Sequence, residues 1–104
     1  MACDAFESTD SLEPTNRFGR TASEDESLVA DYEESARETV CQANGDQEAV
    51  MKAYMFNQSM RTMLDPEDAV LNEAYAARSR ILKEEMLLLG VEDSWFAQWE
   101  DAGR

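Results

Sequence analysis

NGDQEAVMKAYMFNQSMRTMLDP, residues 44–66, decides how this chain folds. Asn44-Gly45 is a stop, because both residues enter the left-handed backbone region at little steric cost and helices end there. Asp46 then offers a side-chain oxygen to the free amides of a new helix start. Asp65-Pro66 restarts the chain once more, since a proline's missing N–H has no partner in a first helical turn anyway. Between the two signals the spacing predicts a helix over 47–64, and it holds four of the chain's six methionines, Met51, Met55, Met60 and Met63.

Apolar residues cover nearly two faces of that helix: Val50, Ala53, Tyr54 and Met60 on one, Ala49, Met55, Phe56 and Met63 spreading around. A helix that apolar is central to a packed body or partly offered to a partner. Methionine serves both ends, as gap-filler in a core and as adaptable contact surface. Core filling is the first reading, with the remaining sulfurs left to meet another chain.

Working outward, Asp65 is read as the cap of a third helix over 66–89, with Asp68 placing negative charge in its first turn. Its principal face runs Val70, Leu71, Ala74, Ala77, Arg78, Ile81, Leu82, Glu85 and Leu89, and Gly90 ends it. Asp93 caps a short fourth helix over 94–101 that carries Trp95, Phe96 and Trp99. Upstream, Ser23 followed by Glu26 has the capping-box pattern, and a first helix over 24–43 buries Leu28, Val29, Tyr32, Ala36, Val40 and Ala43 at steps of three and four. No segment alternates with period two over five residues, so strands are not expected.

Residues 1–22 are rich in Ser, Thr, Asp and Glu, and their apolar residues, Phe6, Leu12 and Phe18, follow no period. They read as an extended acidic arm that cannot pack on itself. The expectation is therefore an all-α protein: a small three- to four-helix bundle or helical hairpin over 23–104, with an extended N-terminal arm over 1–22 anchored on a neighbour by those three residues.

A chain of 104 residues with 43% hydrophobic content suffices for one modest core. Its formal charge of −14 repels nucleic acid and anionic membrane surfaces. No run of 18 apolar residues exists to span a bilayer, and the start MACDAFESTD lacks the basic and apolar regions of a signal peptide. The expected location is intracellular (cytoplasmic) or within a virion. The two cysteines, Cys3 and Cys41, read as free thiols in a reducing compartment.

The charge is uneven: residues 1–48 are net −10 and residues 49–104 net −4. Seven acids, Glu24, Asp25, Glu26, Asp31, Glu33, Glu34 and Glu38, stand against Arg37 alone on the first helix. Such a face suits either solvation or imitation of a nucleic-acid backbone before a basic cleft. Arg78, Arg80 and Lys83 are expected to pair with those acids or to sit in solvent.

Chemistry is scarce. Without histidine there is no Ser-His or Cys-His relay and no Glu-x-x-His di-metal motif. The run 65–73 lacks the central glycine and alternating oxygens of an EF-hand loop, and no glycine-rich phosphate loop occurs. No cofactor or metal is expected.

The reading is a non-enzymatic protein–protein interaction protein, a small structural or adaptor subunit of a larger assembly of the virion or phage kind. It meets a protein partner, neighbouring subunits or copies of itself through Met51, Met55, Met60, Met63, Trp95, Phe96 and Trp99. The alternative is an acidic nucleic-acid mimic that inhibits a nucleic-acid-binding protein through its seven-acid face.

Overall fold

The computed structural model describes residues 14–102. Four helices make up about three quarters of it: α1 Ala22–Ala43, α2 Gln47–Arg61, α3 Ala69–Leu88 and α4 Asp93–Ala102. The all-α expectation holds, and no strand occurs among the described residues.

Helix boundaries follow local chemistry, with four differences from the sequence reading, one of them at α4, where Asp93 is the first helical residue and not the cap before it. The first cap is Thr21, whose side chain accepts from the Glu24 amide while Glu24 reaches back to the Thr21 amide at 2.8 Å. The S/T-x-x-E pattern thus operates two residues earlier than Ser23-Glu26, and Ser23 lies inside the helix. Second, α2 ends at Arg61, followed by a turn through Met63 and Leu64. Third, Asp65-Pro66 forms a turn instead of a helix start. Asp65 Oδ1 accepts from the Glu67 amide at 2.9 Å and its carbonyl from the Asp68 amide at 3.0 Å, so Asp68 becomes the cap of α3.

The stop signals act as read. Asn44 takes φ +49° and Gly45 φ +84° after α1. Gly90, at φ +98°, closes α3: its amide donates to Leu87 O, and the Val91 amide to Met86 O, a six-residue closure that brings Val91 back over Met86.

α3 is the spine. α1 packs along one side of it and α2 along another, while α4 lies against α2. Arg20 at the entry of α1 pairs with Asp68 at the start of α3, and Ser35 meets Arg78 further along, so α1 and α3 run parallel. Gln47 donates to the Leu89 carbonyl at 2.9 Å at one end of α2 and Asn57 to the Tyr75 carbonyl at 3.0 Å towards the other, so α2 runs antiparallel to α3. The face read for α3 from the sequence divides accordingly. Tyr75 packs its ring against Tyr32 of α1 at 5.1 Å, Ser79 bonds to Asn57 and Gln58 of α2, and Leu82 and Met86 enter the core.

The core gathers Ala36, Val50, Tyr54, Leu82, Met86 and Phe96, all fully or almost fully buried. The Cα trace spans 48 × 33 × 15 Å. Fifteen ångström is the depth of two helices packed about 8–10 Å apart, so every helix keeps a solvent side.

The segment read as an extended arm is only partly described: Phe6 and Leu12 lie outside the described residues. Residues 15–21 turn back on themselves rather than extend. Asn16 Oδ1 accepts from the amides of Phe18 and Arg20, and its own amide donates to the Arg20 carbonyl at 2.8 Å. Arg17 and Arg20 place their guanidinium groups 5.0 and 5.6 Å from the Phe18 ring centre, which leaves Phe18 half-buried against its own loop. The cause is Arg20. It donates to Asp25 at 2.6 Å and, bidentately, to Asp68 at 2.6 and 3.0 Å, tying the loop to the starts of α1 and α3. Those bonds hold the Asp68 carboxyl below the usual carboxylate range.

Candidate interaction surface

α2 carries two distinct stripes. The inward one, Val50, Tyr54, Asn57 and Gln58, is buried. Its polar half forms a network with α3. Asn57 Nδ2 donates to the Tyr75 carbonyl and to Ser79 Oγ at 2.7 Å, and its Oδ1 accepts from Arg78 Nε at 2.8 Å. The Ser79 hydroxyl donates to Gln58 Oε1, which also accepts from Arg61, while Gln58 Nε2 reaches the Trp99 carbonyl of α4 at 3.2 Å. Two adjacent amides on α2 thereby lock its register against α3 and α4, since buried polar groups are tolerated only when satisfied.

Arg78 serves the same seam. Its guanidinium sits 4.6 Å from the Tyr32 ring centre and 5.1 Å from that of Tyr75, and it donates to Ser35 Oγ at 3.3 Å. It therefore stacks on aromatics and bonds to neutral oxygens. Burial, with help from the Tyr75 hydroxyl, pushes the Tyr32 hydroxyl up from its ordinary value. Arg80 reaches Glu73 of its own helix at 3.9 Å, and Lys83 lies 5.0 Å over the Phe96 ring. With Arg61, Tyr54 and Ser79 these two bases border a concavity of about 270 Å³.

The outer stripe of α2 is apolar and largely unburied. Ala49, Ala53, Phe56 and Met60 step by four, three and four, so they fall in one line, and Met63 follows three residues on, in the turn past the helix end. Phe56 is 64% exposed and Met63 70%, whereas Ala49, Ala53 and Met60 are half-buried. This line regroups the sequence reading: Ala53 and Met60, placed there with Val50 and Tyr54, belong with Phe56. Phe56 itself was not singled out, although its place seven residues before Met63 and seven after Ala49 was available as a signal. Ala53 and Phe56, with Thr39, Asn57, Arg78 and Leu82, also line a groove of about 140 Å³ beside α1.

The other proposed contacts are dispersed. Met51 packs against the core and, with Gln47, Val91 and Trp95, borders a crevice of about 370 Å³ between α2 and α4. Met55 is half-buried. Phe96, expected at a partner surface, is instead sealed in the core at 0% exposure, edge-on to Tyr54 at 5.3 Å. Trp95 and Trp99 pack against that core and keep part of their surface open. Among the described methionines, Met86 on α3 sits within the core cluster, and none of Met51, Met55, Met60 and Met63 does.

The seven acids of α1 do not form one face. Asp25 is engaged by Arg20 and by Asn16, and Glu24 closes the capping box. Helix spacing puts Glu24, Asp31, Glu34 and Glu38 on one side, while Glu26 and Glu33 lie about half a turn away. Among the described residues no group of three or more Cys, Asp or Glu is placed to hold a metal ion, and no helix is long and apolar enough to cross a membrane. No family model, no curated protein and no solved structure matches the chain.

Proposed function

We propose that this protein is a non-enzymatic interaction protein, a small structural or adaptor subunit whose four helices act as one bundle and whose outer α2 stripe docks onto another polypeptide. One observation carries the reading: Phe56 on α2 and Met63, just past the helix end, stand 64% and 70% exposed on either side of Met60, although α2 seals Val50 and Tyr54 completely or almost so. Large apolar side chains aligned along one exposed helix face mark a contact surface more often than chance.

The acidic-mimic reading has less behind it. Four acids share the outer side of α1 over roughly 21 Å, whereas duplex DNA presents about one charge per 1.7 Å.

The test is site-specific photocrosslinking in cells that make the protein, with benzoylphenylalanine in place of Phe56 or Met63 and, as control, in place of exposed Glu73. Adducts to a polypeptide at positions 56 and 63, with none at 73, support the proposal. Equal or no adducts at all three positions overturn it.

A further inference from the structure

The crevice of about 370 Å³ between α2 and α4 joins two kinds of surface. Met51, Val91 and Trp95 supply an apolar wall, and the Trp95 ring is held in place by Tyr54 and Trp99, with ring centres 5.9 and 6.0 Å away. Gln47, Glu92 and Ser94 supply a polar rim. Gln47 Nε2 donates to the Leu89 carbonyl, which leaves Oε1 as an acceptor without a donor among the described residues. The Glu92 carboxylate and the Ser94 hydroxyl likewise have no partner among the described residues. No lysine or arginine lines the crevice.

A rim of acceptors beside an aromatic and aliphatic wall suits a group that carries donors only and an apolar stem. Arginine is such a group. Its guanidinium has five N–H donors and no acceptor, its methylenes lie along apolar surface, and its planar head both stacks on an indole and forks onto a carboxylate, which an ammonium does less well. Charge selects the same sign. The two stretches that bound the crevice, 44–51 and 87–95, hold Asp46, Glu48, Glu92 and Asp93 and no base. The starts of α2 and α4 would favour an anion if bare, but Asp46 and Glu48 already answer the first and Asp93 the second. A chain of net charge −14 also draws cations towards its surface.

We infer that the α2–α4 crevice receives an arginine side chain presented by a partner polypeptide, its stem along Met51 and Val91, its guanidinium against Trp95 and donating to Glu92. The site is separate from the outer α2 stripe, because Met51 stands about half a turn around the helix from Ala49 and Met60. It therefore stands or falls independently of the stripe. One side chain in an open crevice binds weakly on its own, with Kd on the order of 1 mM, and gains strength as one anchor of a larger contact. Added salt loosens it, since the attraction is between opposite charges at a solvent-facing rim.

The test is heteronuclear NMR of the full chain titrated with the peptide acetyl-Gly-Arg-Gly-amide, and with the same peptide carrying lysine or the neutral isostere citrulline at its centre. The arginine peptide should give saturable shifts at the amides of residues 47, 51 and 90–95 and at the Trp95 indole. The citrulline peptide should bind at least about fivefold more weakly and the lysine peptide about threefold more weakly. Glu92→Gln should weaken the arginine peptide at least about threefold, as should raising salt from about 20 to 500 mM. Glu84→Gln, which removes an exposed acid of α3 away from the crevice, should leave its affinity unchanged. Absence of saturable shifts up to about 20 mM peptide, equal binding of the citrulline or lysine peptide, or shifts spread equally along the acids of α1 overturns the inference. So does an equal loss in Glu84→Gln and Glu92→Gln. Crosslinking at positions 56 and 63 reports on the stripe alone, so either site can fail while the other stands.

Discussion

Replacing Arg20 by methionine keeps most of the side chain's length and removes the cation that joins three segments. In the folded protein its guanidinium makes two bonds to Asp68, at 2.6 and 3.0 Å, and one to Asp25 at 2.6 Å. The Arg20 side chain is 17% exposed and that of Asp68 4%, so little water stands ready to replace what is lost. Breaking a buried pair by removing one partner costs about 3–5 kcal/mol. Because Arg20 keeps some solvent, the lower end, about 3 kcal/mol, is expected at pH 7. The pair also ties stability to pH. Asp68's carboxyl titrates lower folded than unfolded, mainly because Arg20 bonds its charged form. The stabilisation is therefore complete above the unfolded value of about 3.9 and drains away as pH falls through the lower folded one. Urea unfolding of both proteins at pH 7 and at pH 2.5 should show a smaller deficit of Arg20→Met in acid. A deficit under about 1 kcal/mol at pH 7, or one that is the same at both pH values, refutes the assignment of this pair as the clamp between the α1 and α3 starts.

Thermal melts should separate the two candidate caps of α1: Thr21→Ala costs about 1 kcal/mol, while Ser23→Ala stays within about 0.5 kcal/mol. Asn57→Ala removes two donated bonds and one accepted from Arg78, and should lose about 3 kcal/mol in urea unfolding, far more than Ser59→Ala on the exposed side of the same helix. Phe96→Ala empties a fully buried site and should cost about 3–5 kcal/mol, whereas Phe56→Ser, on an exposed ring, leaves the stability of the dilute monomer within about 0.5 kcal/mol. If Phe56→Ser destabilised the monomer as much as Phe96→Ala, the outer stripe would be core and the interaction reading would fall.

What residues 44–66 and their neighbours determined alone was the helical class and the stops between helices. Asn44-Gly45 and Gly90 stop helices because of their own backbone freedom, Asp46 caps by its own side chain, and steps of three and four sort α1 into a buried and a solvated side. Those effects act within a few residues, so sequence displays them. Tertiary structure decided the rest. The loop 15–21 is tied down by Arg20 reaching Asp68, 48 residues away, and nothing local distinguishes that arginine from Arg17. Asn57 and Gln58 look like ordinary surface amides until Tyr75, Ser79 and Trp99 are brought over them. Met51, Met55 and Met60 of α2 share one residue type but not one fate, because α2 is apolar on two sides while α3 and α4 cover its inward stripe. Which stripe is left for another chain is a property of where the neighbouring helices pack, and no pattern confined to α2 can specify it.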